Sequence, residues 1–226
     1  IVERRKICRI LDTEMLSDIF EHIDEKPAAE YLDEIDVRKA AKILSSMETD
    51  AVIDVLKMIP KEKRALLIEL TDADTREDIA VIASFDDEEI GSRMTTNFIM
   101  IRENLTVKQA MSSLVEQAAK NDNISTIFMV TEDQTFYGAM DLKDLIIARQ
   151  DSPLEDLVVT SYPYVYGHEL IDECIEKLKD YSEDSIPVLN NNNKLLGVIT
   201  SQSIVSLVDD EMDKNAIFMF LRRKWA

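Results

Sequence analysis

Ile127-Phe128-Met129-Val130 runs into a polar turn, Glu132-Asp133-Gln134, then into Phe136-Tyr137-Gly138-Ala139-Met140 and Asp144-Leu145-Ile146. Sliding the chain on itself by 59 residues lays these stretches on Ile186-Pro187-Val188-Leu189, Leu195-Leu196-Gly197-Val198-Ile199 and Ser203-Ile204-Val205, with Asn190-Asn191-Asn192-Asn193 as the second turn. Upstream, Leu114 matches Leu178 at a shift of 64, so the first copy carries about five extra residues around Lys120 to Asn123. β-branched runs (Phe98-Ile99-Met100-Ile101 and Ile127 to Val130) alternate with helical stretches, Val107 to Ala118 and Leu142 to Ala148. The pattern predicts two successive copies of a strand-helix-strand-turn-strand-helix unit. Gly138 and Gly197 hold matching places, where a strand is expected to pass close to another backbone.

Before Asp86-Asp87-Glu88-Glu89 the sequence has a different character. Apolar residues follow helical spacing in short blocks, each opened by a residue suited to starting a helix. After Asp12-Thr13, the residues Met15, Leu16, Ile19, Phe20 and Ile23 are expected to share one face; Pro27 opens Ala28-Ala29-Glu30-Tyr31-Leu32. Asp36 precedes Val37, Ala40, Ala41 and Leu44, and Thr49 precedes Val52, Ile53, Val55 and Leu56. Pro60 precedes Ala65, Leu66 and Ile68, and Asp74-Thr75 precedes Ile79, Val81 and Ile82. Short helices that cannot bury their apolar faces alone predict an all-α superhelical stack. The fold class is therefore multi-domain, an all-α superhelix followed by an α+β repeat pair.

The 226 residues suffice for two domains, and a 46% hydrophobic content supports packed cores. Lys+Arg number 26 against 45 Asp+Glu, a formal charge of -19, which argues against nucleic acid as a partner. Such an acidic excess reads either as solubility alone or as carboxylate surfaces that gather divalent cations. Cys8 and Cys174 lie far apart in no Cys/His cluster, and His22 and His168 have no metal-ligand spacing. With four glycines there is little room for a phosphate-cradling loop, no catalytic motif occurs, and the expectation is a protein that is not an enzyme. The ten methionines read as core filling. The N-terminal IVERRKICRI lacks the uninterrupted apolar run of a signal peptide and no run of 18 apolar residues occurs, so the chain is expected to be soluble and at home in a reducing cytoplasm.

The repeated strand, polar turn, Gly-apolar-apolar and helix resemble a CBS motif, and the two together resemble a tandem CBS pair, covering Met94 to about Val208. A short-helix acidic superhelix placed before such a pair resembles the cytosolic region of the MgtE magnesium transporters. The joint Phe85-Asp86-Asp87-Glu88-Glu89-Ile90-Gly91-Ser92-Arg93-Met94-Thr95-Thr96 strengthens the likeness, with Ile90 where that family usually has Ala. The resemblance implies a helical domain over residues 1–90, CBS motifs over 91–151 and 152–208, and a segment from 209 to 226 leading toward a membrane domain. Ala216 to Trp225, apolar and then basic, is similar to that family's connecting helix; a helix that covers the core is the alternative.

What the resemblance implies is a Mg2+-sensing regulatory region at the cytoplasmic face of the cell membrane, dimeric through its CBS pairs and joined to its own transmembrane domain. Two acidic surfaces repel, and hydrated divalent cations between them replace repulsion by bridging. Candidate cation ligands are Asp87, Glu88 and Glu89 at the joint, Asp172 in the second copy, and Asp209, Asp210, Glu211 and Asp213 at the end of its last helix, where a cation would relieve carboxylates opposing the helix dipole. Some positions depart from the family. Ser201-Gln202-Ser203 follow Thr200 where an acidic pair is usual, and Ser182 and Ser206 stand where Asp is expected, implying fewer ions or weaker sensing.

The alternative is an adenine-nucleotide-sensing CBS protein that regulates a partner. CBS motifs that hold nucleotides use a hydroxyl residue with an Asp three positions on. Here the second copy has Thr200 but Ser203, and the first has Asp144 but Asp141. Asp144, with Lys143 near phosphate, is the residual ATP candidate; a first-turn acid is its plainer reading.

Overall fold

The helical blocks begin where short polar side chains can satisfy free amides. In the computed structural model, which describes residues 10–178 and 183–205, Asp12 accepts the Met15 amide at 2.9 Å and opens α1 (Thr13–Glu21). Asp36 accepts the Arg38 and Lys39 amides and opens α3 (Val37–Leu44). Two starts differ from expectation. Helix α2 (Glu25–Glu34) begins before Pro27, because a proline is tolerated in the first turn, where its missing N–H is not needed. Helix α6 (Ala73–Ile82) is capped by Asp72 through the Thr75 amide, not by Asp74. Glu48 and Pro60 precede α4 (Thr49–Lys57) and α5 (Lys61–Leu70).

The chain divides into two units, Ile1–Ser84 and Phe85–Ala226. In the first, each helix packs on the next but one: α1 on α3, α2 on α4, α3 on α5 and α4 on α6. The shared core includes Leu16, Phe20, Leu32, Ile43, Leu44, Val52 and Leu67. Buried Ala28, Ala29, Ala40 and Ala41 let backbones approach closely. This is the expected superhelical stack, with two of its faces turned. In α1 only Leu16 and Phe20 of the predicted stripe are buried, while Met15 and Ile19 stand 52% and 40% exposed at its flanks. In α5 the buried residue is Leu67, and Leu66 is exposed.

The second unit holds the repeat. Its first copy runs β1 (Ile99–Arg102), α7 (Val107–Gln117), β2 (Thr126–Val130), β3 (Phe136–Asp141) and α8 (Leu142–Ile147). Its second runs β4 (Val165–Tyr166), α9 (Ile171–Leu178), β5 (Ser185–Leu189), β6 (Leu195–Thr200) and a helical stretch, 201–205. Both sheets have one parallel and one antiparallel pairing in the same order. The 59-residue shift holds to the residue: Met129 faces Gly138 as Val188 faces Gly197, the bulges follow at Met129/Val130 and Val188/Leu189, and Gln134 and Asn193 both take positive φ in the turns.

Both glycines lie where expected, under a foreign backbone. A methyl on Gly138 would stand 2.7 Å from the Val159 carbonyl oxygen, and one on Gly197 would stand 2.8 Å from that of Thr95. The copies thus exchange segments. The stretch before the first copy bridges β6 (Thr95 with Val198), and the stretch before the second bridges β3 (Val159 with Ala139). Between them lies a common core of Phe128, Ala139 and Val198, flanked by Phe98, Phe136, Tyr162 and Leu195.

Candidate functional site

The acidic joint precedes the first copy in sequence, yet it is pinned to the second. Ile90 N–H donates to the Glu169 carbonyl (2.9 Å), Gly91 N–H to that of Gly167 (2.9 Å) and Ile171 N–H to that of Glu88 (3.0 Å). The Phe85 ring fills the slot these bonds create: a methyl on either Gly91 or Gly167 would come within 2.6 Å of it, and the His168 ring lies 4.9 Å away, centroid to centroid. Within this clasp Glu89 is fully engaged. One carboxylate oxygen accepts the Asp86 amide at 2.8 Å and the other bonds the His168 Nδ1 at 2.9 Å.

These bonds hold the Glu89 carboxyl below its ordinary value of 4.5, the Asp86 amide first and His168 second. A depressed carboxylate stabilises the folded arrangement above its ordinary pKa, and that stabilisation disappears as pH falls through the folded value. Hydrogen exchange at the Ile90, Gly91 and Ile171 amides is therefore expected to accelerate as pH drops below about 4.5, relative to Glu89→Gln, which keeps an acceptor for the Asp86 amide but does not titrate. Identical pH profiles in the two proteins would show that the Glu89 carboxylate does not hold the clasp.

The Glu88–Ile171 bond sets the joint beside the start of α9. Asp87 and Glu88 are exposed, as are Asp172 and Glu173 in the first turn of that helix. Two of the three groups nominated from sequence thus lie on adjoining backbones, and α9 carries its acids at the end the helix dipole favours. Among the described residues no group of three or more His, Cys, Asp or Glu side chains is placed to hold a metal ion. Exposed carboxylates of this kind fit a cation that keeps most of its waters and takes one or two carboxylates, as Mg2+ does. Asp209, Asp210, Glu211 and Asp213, and the segment 216–225, lie outside the described residues, as do Ser182 and Ser206.

A second feature lies between the copies, an open cleft of about 420 Å³. Among the described residues it is lined by Ser125, Asp141, Leu142, Lys143, Ile146 and Ile147 from the first copy and by Asp184 from the second. Ser125 and Asp184 are partners under the 59-residue shift, and their carbonyls accept the Leu142 and Ser201 amides, each at 2.9 Å. Lys143 reaches the lining, whereas Asp144 sits in the first turn of α8 and is not among the lining residues. Thr200 has become a cap: its hydroxyl takes the Ser203 amide at 3.1 Å and pairs with the Ser203 hydroxyl at 2.9 Å. Asp141, its counterpart, makes no such capping bond.

Two domain models match the chain, the MgtE intracellular N domain over residues 1–88 and the CBS domain over residues 88–151 and 154–210. The chain carries an MgtE intracellular N domain followed by a pair of CBS domains. The magnesium transporter MgtE of Thermus thermophilus is 25% identical across 92% of this chain and 47% of its own length. MgtE of Bacillus subtilis is 22% identical across 87% and 49%, so the chain spans about half the length of these relatives. The crystal structure of the soluble part of a magnesium transporter superposes with a TM-score of 0.84 at 29% identity, over 92% of this chain and 82% of that one. The cytosolic domain of the Mg2+ channel MgtE in complex with ATP shares the fold, with a TM-score of 0.79 at 24% identity over 87% and 81%. Among the described residues no helix is long and apolar enough to cross a membrane.

Three participants escaped the sequence reading. His168 shows no metal-ligand spacing, and its role comes from Glu89, 79 residues away. Phe85 is an unremarked aromatic until two glycines make room for it. Asp184 could have been found, since the 59-residue shift lays it on Ser125, next to the start of a strand.

Proposed function

We propose that this chain is the cytosolic, Mg2+-sensing regulatory region of a magnesium transporter, in which cation binding draws the helical domain and the CBS pair together and so gates a membrane pore. The observation that carries this reading is the order of parts: an MgtE N domain directly followed by a CBS pair, alike in fold to the soluble part of a magnesium transporter over 92% of the chain. The proposed boundaries are 1–90, 91–151, 152–208 and 209–226. The chain pairs with a second copy through its CBS motifs, lies at the cytoplasmic face of the membrane and connects to a transmembrane domain.

The proposed ligands are Asp87 and Glu88 of the joint and Asp172 and Glu173 of α9's first turn, with Asp209, Asp210, Glu211 and Asp213, while Glu89 is committed to the clasp. At a formal charge of -19 the two units repel at long range, and Mg2+ relieves that repulsion without a rigid cage. Small-angle scattering is expected to show compaction on adding millimolar Mg2+, with matching heat in calorimetry. The double substitution Asp87→Asn/Glu88→Gln is expected to move the midpoint to about two- to fivefold higher Mg2+. Scattering curves that do not change with Mg2+ would defeat the proposal.

The cleft favours a second reading, an adenine nucleotide held between the copies, with Lys143 near phosphate and carboxylates toward the ribose. ATP accompanies a relative of the same fold. Tight nucleotide binding without any cation response would put this reading first.

A further inference from the structure

The cleft is more acidic than a nucleotide site needs to be. Two acidic residues, Asp141 and Asp184, line it from opposite copies, and Lys143 is the one cation among its described lining residues. A neighbouring phenol reports the same field. Tyr162 donates its hydroxyl to the Ser185 carbonyl at 2.9 Å, one residue from Asp184. Burial first, and then the charges of Glu183, Asp141 and Asp184 against a bond with Thr126, push that phenol up to about 12. The remaining lining is apolar or neutral: Leu142, Ile146 and Ile147, the last two 61% and 71% exposed, and Ser125. Carboxylates accept hydroxyl donors, and an apolar wall suits a flat ring. Neither welcomes a chain of phosphates, each of which adds negative charge within a few ångströms of two fixed ones.

We propose that this cleft selects its ligand by charge, taking an uncharged or singly phosphorylated nucleoside and refusing a free triphosphate unless a divalent cation accompanies it, with Asp184 as the residue that sets the limit. This rests on the nucleotide reading of the cleft given above. Asp184 is singled out because it comes from the second copy, across the cleft from Lys143, so that no chain neighbour compensates it; Asp141 lies two residues from Lys143.

The test is calorimetric titration of the chain with adenosine, AMP and ATP, first in EDTA and then in excess Mg2+. In EDTA, adenosine and AMP are expected to bind, with free ATP weaker by about tenfold or more. Excess Mg2+ is expected to restore ATP to within about threefold of AMP, since the chelated triphosphate carries two fewer charges. Asp184→Asn separates this effect from any cation binding elsewhere: in EDTA it is expected to raise the affinity for ATP relative to that for adenosine by about fivefold to tenfold. Free ATP binding as tightly as AMP in EDTA, or no gain of ATP affinity relative to adenosine in Asp184→Asn, overturns the charge selection and leaves the nucleotide reading standing. If none of the three binds, the nucleotide reading falls and takes this inference with it.

Discussion

Gly197→Ala is expected to destabilise the second unit by about 2–3 kcal/mol, a large loss for one methyl group. The added carbon would stand 2.8 Å from the Thr95 carbonyl oxygen and 2.8 Å from the Met94 sulfur. The sulfur can swing away; the carbonyl cannot. It belongs to a two-way exchange in which Thr95 N–H donates to the Val198 carbonyl and Val198 N–H to the Thr95 carbonyl, both at 2.9 Å. Pushing the strands apart strains both bonds, and Met94 and Val198, each fully buried, move with them. Urea unfolding followed by tyrosine fluorescence isolates the unit, because of six tyrosines only Tyr31 lies in the first. Gly138→Ala is expected to behave alike, since it meets the Val159 carbonyl at 2.7 Å across the equivalent bridge. A midpoint unchanged in both would show that the exchanged segments do not hold the copies together.

That these two glycines could be nominated from sequence alone shows where such a reading is strong. A 59-residue self-match constrains both copies at once, so strands, turns, bulges and left-handed turn residues all fell in register. The superhelix was legible for a related reason: Asp12 and Asp36 announce helices through a local bond that needs no tertiary partner. The rest depended on what lay across from each helix. Met15 and Ile19 have the right spacing for a buried stripe, but α1 meets chiefly α3, and one helix covers a stripe only as wide as Leu16 and Phe20. Leu66 and Leu67 of α5 are neighbours in sequence 100° apart around the axis, and only packing decides which of them faces inward.

The candidate site followed the same rule. Asp87, Glu88 and Glu89 were nominated as one acidic run, yet the fold separates them by role. Glu89 holds the clasp, while Asp87 and Glu88 remain exposed beside Asp172. Chain order places the joint next to the first copy, whereas its hydrogen bonds reach 167–171. That pairing is set by Phe85 in a slot floored by two glycines far apart in sequence, and no local pattern encodes it.

Phe128→Ala is expected to cost the most of any single change, about 3–5 kcal/mol. The ring is fully buried where the two copies meet. Phe98 and Tyr162 present edges to it at centroid distances of 6.0 and 6.1 Å and angles of 84° and 86°, and Phe136 lies 6.4 Å away. Its counterpart under the 59-residue shift is Pro187, so the repeat supplies no second ring at this place. A neighbouring ring can close the gap only by giving up its own packing, which is the circumstance in which a cavity costs most. Tyr162 adds a polar consequence: released from the ring face, its hydroxyl loses the alignment that holds it on the Ser185 carbonyl. Phe128→Leu, keeping most of the volume, is expected to cost only about 1–2 kcal/mol. The helical unit has its own core, so in both variants its unfolding transition, followed by circular dichroism, should stay in place while the tyrosine-reported transition moves to lower urea. A Phe128→Ala stability within about 1 kcal/mol of the parent would mean that the copies are joined by their exchanged strands and not by this core.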